Sequence, residues 1–185
     1  MPRFELAGSL VLRPLAETDV GELYALVEAN RAELARWMPW AAGQTLAATG
    51  DFIRATIEQE ADDRGFQVGL VVDGAIAGVA GFHGIERNDR STTIGYWLAA
   101  SYQGRGLMTA VVRTLVDHAF DEWRLHRIEL RAAPANRRSR ALADRLGFRE
   151  EGLLREAERF GDEYRDLVLY AMLVSEWRRR GRSAA

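Results

Sequence analysis

Residues Ile94–Met108 read IGYWLAASYQGRGLM, and they combine three features that predict an anion-binding turn. A strand-like, aromatic-rich run ends at Leu98, a glycine-rich turn follows, and helical periodicity begins near Arg105. The first N–H groups of a helix lack intrahelical partners and lie at the positive end of its dipole, so they suit a pyrophosphate. A plain strand-to-helix turn is the alternative, because a Gly-x-Gly pair alone has low specificity.

The turn does not match two other phosphate-binding motifs. A Walker loop is excluded because no Lys-Ser or Lys-Thr pair follows the glycines. A dinucleotide fingerprint is also excluded, because Gly-x-Gly-x-x-Gly is incomplete and the turn lies in the middle of the chain.

Strands and helices occur on both sides of this turn, and their order predicts one α/β (α+β) domain over residues 1–185, with a core at about 8–175. The predicted N-terminal elements are a strand over 10–15, helical segments over 18–31, 32–40 and 45–63, and strands over 66–72 and 75–82 that meet in a tight Asp73-Gly74 turn. The predicted C-terminal elements are a strand over 92–98, a helix over 105–123, a strand over 127–133, a helix over 136–146 capped by Gly147, and strands near 148–160 and 164–174. Residues 176–185 are predicted to form a basic tail, with a frayed end over 178–185.

The composition excludes several kinds of site. The chain has no cysteine, so it has neither disulfides nor a cysteine nucleophile. Its three histidines, His83, His118 and His126, share no ligand spacing, so we expect no metal, and His83 is predicted to be structural at a strand end. Every apolar run is shorter than the roughly 20 residues that span a bilayer, and the N-terminus resembles no signal segment. We therefore expect a cytoplasmic protein with no membrane partner.

The charges are distributed unevenly along the chain. All 25 basic residues are arginine; residues 1–92 have a net charge of −6 and residues 93–185 a net charge of +4. The basic half favours an anionic ligand and the acidic half tolerates a cationic one, although a mixed solvated surface explains the same charges. The net charge of −2 and the absence of an Arg-aromatic reader motif argue against nucleic-acid binding.

The segment Gln103-Gly104-Arg105-Gly106-Leu107-Met108 resembles the acetyl-CoA loop of GNAT acetyltransferases, which is written Gln/Arg-x-x-Gly-x-Gly/Ala. Met108 departs from the last position, but the RimJ/RimL-type branch, which acetylates protein N-termini, commonly has methionine there. Four further segments also resemble this family: 94–98, 136–148, 151–152 and 161–166. Together with the loop, the resemblance covers roughly residues 8–175.

This resemblance implies a GNAT-type fold, with a central, mixed, mostly antiparallel sheet that is flanked by helices and splayed near Trp97. It implies transfer of the acetyl group of acetyl-CoA to a primary amine by direct attack in a ternary complex. The expected acceptor is the N-terminal α-amine of a protein, such as a ribosomal protein. Two alternatives stay open: acetylation of a small amine such as a polyamine or antibiotic, and a non-catalytic CoA-binding regulatory module. A homodimer is a further possible assembly.

The resemblance also assigns residues to acetyl-CoA. The pyrophosphate is expected on the loop formed by Gln103, Gly104, Arg105, Gly106, Leu107 and Met108. The backbone at Trp97 and Leu98 is expected to bind the pantetheine arm and the thioester oxygen, while their side chains pack in the sheet. Asn136 and Ser139 lie on one helix face and could contact the same arm.

Two catalytic residues follow from the RimL-type pattern. Many GNAT enzymes place a tyrosine where this chain has Ala143, so Ser139 is the expected proton donor to the departing thiolate; alternatively, its hydroxyl binds its own helix. Glu158 is the expected general base. Glu156 is the substitute, since period two places it on the same strand face. Both carboxylates could instead lie on a solvated face.

The acceptor pocket of GNAT enzymes lies between the first helices, where this chain has Trp37 and Trp40. An indole face can hold a cation, so both tryptophans are expected to bind the amine. Core packing is an equal alternative for each of them.

Overall fold

A computed structural model of the chain describes residues 3–6 and 8–183, and their side chains as far as residue 180. The strands are β1 (Phe4–Glu5), β2 (Leu10–Pro14), β3 (Gln67–Val72), β4 (Ala75–Glu86), β5 (Ser91–Leu98), β6 (Arg127–Ala132), β7 (Arg149–Phe160) and β8 (Glu163–Leu173). The α-helices are α1 (Val20–Leu34), α2 (Leu46–Ala61), α3 (Leu107–Asp121), α4 (Arg137–Leu146) and α5 (Val174–Ser183).

The strands follow the order β1-β2-β3-β4-β5-β6-β8-β7 in one eight-stranded sheet. The pairs β1–β2, β2–β3, β3–β4, β6–β8 and β7–β8 are antiparallel, and β5–β6 is parallel. The predicted mixed, mostly antiparallel sheet is therefore confirmed.

One compact unit comprises the residues up to Gly84 together with Gly95–Val112. Its core lies between one sheet face and the helices α1 and α2, and includes Leu23, Val27, Ile53, Val79 and Trp97. The hydroxyl of Thr45 caps α2 by accepting a hydrogen bond from the N–H of Ala48. β3 and β4 are joined through Asp73 (φ 52°) and Gly74 (φ 85°), the left-handed pair that the sequence predicts for a tight hairpin.

The predicted helical continuation over 32–40 is confirmed as far as Leu34 and is wrong beyond it. Helix α1 ends at Leu34, and a 3-10 helix, Pro39–Gly43, follows. Pro39 lacks an N–H and disfavours helical geometry in the residue before it, so Met38 is extended (φ −126°, ψ 112°). The segment becomes a loop that presents Trp40.

The second compact unit comprises Ile85–Ile94 and the residues from Arg113 onward. Here β6, β8 and β7 pair side by side, and α4 ends at Gly147 in the left-handed conformation (φ 79°), as predicted. The parallel pairing of β5 with β6 covers Ser91–Thr93 and ends five residues before Leu98, in agreement with the predicted splay. The single-domain boundary of 1–185 stays a prediction.

The predicted frayed end is wrong for residues 178–183, because α5 continues through Ser183, and its last two positions, 184 and 185, lie outside the described residues. Trp177 anchors this helix: its indole N–H donates a hydrogen bond of 2.6 Å to Oδ1 of Asp117, and the guanidinium of Arg113 lies over its ring. No helix among residues 3–6 and 8–183 is long and apolar enough to cross a membrane.

Candidate functional site

The turn after β5 has the backbone geometry of an open anion site. Gly104 (φ 75°) and Gly106 (φ 78°) are both left-handed, and a Cβ added at either would meet no atom within 4 Å. Helix α3 begins at Leu107, and the N–H groups of Thr109 and Ala110 reach back to the Gly106 carbonyl at 3.1 and 3.2 Å. The helix start thus follows an exposed two-glycine turn, which leaves the first N–H groups of α3 available to an anionic ligand.

The side chains of this turn differ in their surroundings. Arg105 is exposed, and its guanidinium lies 5.9 Å from the ring centroid of Tyr102. Leu107 is half-buried and Met108 is buried at 9% exposure, so each could contact a phosphate only through its main chain. The half-buried Gln103 donates from Nε2 to the carbonyl oxygen of Leu98 at 2.9 Å, and so braces the turn from within.

Asn30, which the sequence analysis missed, also supports this turn. Its Oδ1 accepts a hydrogen bond of 2.8 Å from the N–H of Ala100, and the N–H of Ala99 donates to the carbonyl of Ala77 at 2.9 Å. The segment that leads into the glycines is therefore fixed both to α1 and to β4. No local sequence signal marks Asn30, because its partner lies 70 residues away.

Trp97 and Leu98 end β5 directly before the turn. The Trp97 side chain packs in the core at 9% exposure, in agreement with the expected packing role. On β4, a Cβ at Gly78 would lie 2.2 Å from the Trp97 carbonyl oxygen, so only glycine permits this close approach of the two backbones.

The two acceptor-side tryptophans have different environments. Trp40 is 41% exposed, and its ring lies 6.2 Å from that of Trp97 at an interplanar angle of 56°. Trp37 is half-buried, with the Arg36 guanidinium 5.4 Å from its ring centroid. Trp40 is thus the more accessible of the two to a ligand.

In the second unit, Asn136 and Ser139 lie together at the start of α4. Asn136 is the N-cap of this helix, and its Oδ1 accepts a hydrogen bond of 3.1 Å from the N–H of Ser139. The side chain of Ser139 is half-buried on the same first turn. The amide oxygen of Asn136 therefore has a structural partner as well as its predicted role toward acetyl-CoA.

Arg140, a second residue that the sequence analysis missed, anchors this end of α4. Its Nε donates to the hydroxyl of the buried Tyr170 at 2.9 Å, and its NH1 donates to the carbonyl of Pro134 at 3.3 Å. Its NH2 forms an ion pair of 3.3 Å with Glu150. These contacts fix the first turn of α4 against the β7–β8 hairpin.

Glu158 and Glu156 do not share a strand face, so that prediction is wrong. The β7–β8 register shifts between Leu154 and Glu158, so that residues 155–157 lie opposite Asp166 alone. Glu156 is left-handed (φ 50°) and exposed, which interrupts the period-two alternation. Glu158 resumes the ladder opposite Arg165.

The environment of Glu158 favours proton transfer. Its side chain is half-buried, and this burial raises the pKa of its carboxyl, against the opposing charge of Arg165. The guanidinium of Arg165 itself lies 3.3 Å from the ring centroid of Phe160. A carboxylate whose pKa is raised by burial is a stronger base than an exposed one.

The family model described as "Acetyltransferase (GNAT) domain" matches residues 9–149 of the chain. The chain belongs to the GNAT acetyltransferase family. It is 35% identical over 173 residues to the putative ribosomal N-acetyltransferase YdaF of Bacillus subtilis, covering 91% of this chain and 93% of the relative. It is 30% identical over 174 residues to the ribosomal-protein-serine acetyltransferase of Escherichia coli, covering 92% of this chain and 96% of that protein.

A solved structure of a related acetyltransferase has the same fold as this chain. RimL, a ribosomal-protein α-N-acetyltransferase in complex with coenzyme A, superposes with a TM-score of 0.89 at 27% identity, over 95% of this chain and 99% of RimL. The predicted family, the GNAT fold and an acetyl-CoA-dependent N-acetyltransferase activity are thereby confirmed.

This acetyltransferase departs from a common GNAT feature at Ala143, and the predicted strand-end position of His83 is wrong. Ala143, at the position where many GNAT enzymes have tyrosine, is fully buried in α4 and packs in the core. His83 lies within β4 and not at a strand end, because β4 extends to Glu86. Among residues 3–6 and 8–183, no three His, Asp or Glu side chains are grouped closely enough to hold a metal ion.

Proposed function

We propose that this GNAT enzyme acetylates the N-terminal α-amine of a protein, and that a ribosomal protein is its acceptor. Two relatives of matching length are named as ribosomal or ribosomal-protein acetyltransferases, which supports this acceptor class. The observation that carries the proposal is Glu158, a half-buried carboxylate of raised pKa that resumes the ladder after the β7 bulge. An α-amine has an ordinary pKa of about 8, so a carboxylate base suffices to remove its proton.

The exposed turn fits the diphosphate of acetyl-CoA. Gly104 and Gly106 open space on the ligand side, Arg105 supplies a positive charge, and the start of α3 supplies main-chain donors. Main-chain groups at Trp97 and Leu98 would bind the pantetheine arm and the thioester oxygen. Asn136 would contact the same arm, in addition to capping α4.

Acetyl-CoA supplies an activated acetyl thioester, and two side chains of the protein accept and donate the protons of the reaction. Glu158 accepts the proton that the acceptor amine loses as its nitrogen bonds to the acetyl carbon. Ser139 donates a proton to the sulfur as the carbon–sulfur bond breaks. Without these two groups, most of the amine stays protonated near neutral pH and the sulfur leaves as an unprotonated thiolate.

Trp40 would form a wall of the acceptor site. Its exposed indole face attracts a cation, and the amine acceptor is cationic before it loses its proton. The net negative charge of residues 1–92 also favours a cationic acceptor.

A thiol-release assay with a matched acceptor panel tests this proposal. The panel contains a peptide with a free N-terminus and an internal lysine, the same peptide with a formylated N-terminus, and spermidine. We expect CoA release only with the free N-terminus. Release with the formylated peptide would instead indicate lysine acetylation, and release with spermidine alone would indicate a small-amine enzyme.

A further inference from the structure

Two consecutive residues of α1 each hold a different loop of the first unit. Asn30 holds the loop that leads to Gly104: its Oδ1 accepts from the N–H of Ala100 at 2.8 Å. Its Nδ2 donates to the carbonyl of Leu26 at 2.9 Å, and this second bond fixes which end of the amide faces Ala100. One side chain thus ties the last turns of α1 to the segment that follows β5.

Arg31 holds the loop that carries Trp40. Its guanidinium donates to the main-chain carbonyls of Ala41, of Ala42 at 2.8 Å and of Gln44 at 2.6 Å. The carboxylate of Glu28, one turn earlier on α1, pairs with the same guanidinium. A charged fork that satisfies three carbonyls holds the backbone of this short 3-10 segment to the helix.

The loop held by Arg31 also contacts the end of β5 through an aromatic pair. Trp97 lies at the end of β5, directly before the loop held by Asn30, and Trp40 lies in the loop held by Arg31. Their ring centroids are 6.2 Å apart, within the range of a favourable aromatic pair. The helix α1, the loop 98–106 and the loop 39–44 therefore form a closed set of contacts within one compact unit.

We propose that Asn30 and Arg31 are positioning residues that couple the acetyl-CoA loop to the acceptor loop. Order imposed on residues 98–106 by acetyl-CoA reaches residues 39–44 through α1 and through the Trp97–Trp40 contact. A loop that is already ordered costs less conformational entropy when its ligand binds, so CoA binding favours acceptor binding. The inference rests on the proposed function, which places acetyl-CoA on residues 103–108 and the acceptor at Trp40.

Hydrogen exchange followed by mass spectrometry tests the coupling without an acceptor, using CoA alone as the ligand. In the unmodified protein, saturating CoA is expected to slow amide exchange both in peptides that cover 103–110 and in peptides that cover 38–44. We expect about five- to tenfold slowing in the second set, the scale of a modest coupling between sites. Absence of slowing at 103–110 would contradict the proposed function itself. Slowing confined to 103–110 would overturn the coupling alone.

Three variants assign the coupling to the named residues. Asn30→Leu removes the bond to Ala100 and is expected to abolish the slowing at 38–44 while slowing at 103–110 persists at saturating CoA. Asn30→Asp keeps an acceptor oxygen for the same N–H and should retain more of the effect. Arg31→Lys keeps the charge but loses the fork, so it should also uncouple the loops, whether or not Asn30→Leu folds. Full retention of slowing at 38–44 in folded Asn30→Leu or Arg31→Lys would overturn the assignment.

A kinetic readout separates positioning from general loss of stability. With the acceptor peptide found in the thiol-release panel, Arg31→Lys should raise the KM for the acceptor several-fold, with kcat and the KM for acetyl-CoA changed little. A uniform loss of activity that follows the fraction of folded protein would indicate a structural role only, and would overturn the proposal for Arg31.

Discussion

The main-chain N–H of Glu156 donates a hydrogen bond of 2.8 Å to Oδ1 of Asp166 and thereby fixes the bulge in β7. Three residues, 155–157, lie opposite that one aspartate, and Glu156 adopts a left-handed φ of 50°. The bulge separates two glutamates that the sequence alone would place on one face. Glu156 is exposed, whereas Glu158 is half-buried with a raised carboxyl pKa.

Glu156 is a matched control for a test of Glu158 as the general base. We expect Glu158→Gln to retain CoA binding and to lower kcat at pH 7 by about 100-fold or more, the usual contribution of a general base. Glu156→Gln should stay near the unmodified rate, because its main chain and not its carboxylate makes the fixed contact. Steady-state rates of the two variants decide the matter. A large defect in Glu156→Gln together with a normal Glu158→Gln would reverse the assignment.

The raised pKa of Glu158 predicts opposite pH effects on activity and on stability. The base must be ionised, so the rate should fall as pH drops through the raised pKa. The folded state binds this proton more tightly than the unfolded state, so the stabilisation is present below the unfolded pKa and is lost as pH rises through the folded value. Glu158→Gln should therefore leave Tm at pH 7 unchanged or raised, as thermal unfolding can measure. A clear drop in Tm would show that the ionised carboxylate stabilises the fold.

The proposed catalytic role of Ser139 can be distinguished from the helix-capping role of Asn136. Ser139→Ala should lower kcat while CoA affinity stays close to normal, because only the proton for the leaving sulfur is lost. Asn136→Ala should cost about 1 kcal/mol of stability through loss of the N-cap, and Asn136→Ser should restore that stability. Calorimetric CoA binding and single-turnover rates distinguish these effects. An unchanged chemical step in Ser139→Ala would leave the hydroxyl a helix-packing role.

Gly106 in the phosphate turn has a matched control in Gly74 of the β3–β4 hairpin. Both are left-handed, at φ 78° and 85°, and neither has an atom within 4 Å of an added Cβ. Alanine at either position should cost about 1–2 kcal/mol of backbone strain. Only Gly106→Ala should also weaken CoA binding, which calorimetry can measure in both variants. Equal CoA affinity in the two would show that the turn at 103–106 is structural.

Trp40 and Trp37 test the acceptor wall. Trp40→Ala should raise the KM for the acceptor with little effect on the KM for acetyl-CoA, because Trp40 is the more exposed ring. Trp37→Ala should have the smaller effect on acceptor KM, since its half-buried ring packs under Arg36. A larger acceptor defect in Trp37→Ala would move the acceptor contact to that side chain.

Local signals predicted much of this structure from the sequence. The Asp73-Gly74 turn, the helix start near Asn136, the Gly147 helix end and the glycine turn before α3 all follow from the backbone preferences of the residues themselves. The β7 bulge could not be predicted in this way, since it depends on the pairing partner Asp166. Asn30 and Arg140 were missed for the same reason, because their partners lie 70 and 30 residues away.

The most direct test of α-amine acetylation by this enzyme is intact-protein mass spectrometry of ribosomal proteins from a strain that lacks their N-terminal acetylation. The proteins are incubated with acetyl-CoA and either the unmodified enzyme or Glu158→Gln. We predict that at least one ribosomal protein gains the mass of a single acetyl group, that peptide sequencing places it on the N-terminal nitrogen, and that Glu158→Gln adds little at pH 7 in the same time. Acetylation confined to lysine side chains, or no acetylation of any ribosomal protein by an enzyme that releases CoA with a small amine, would contradict the account.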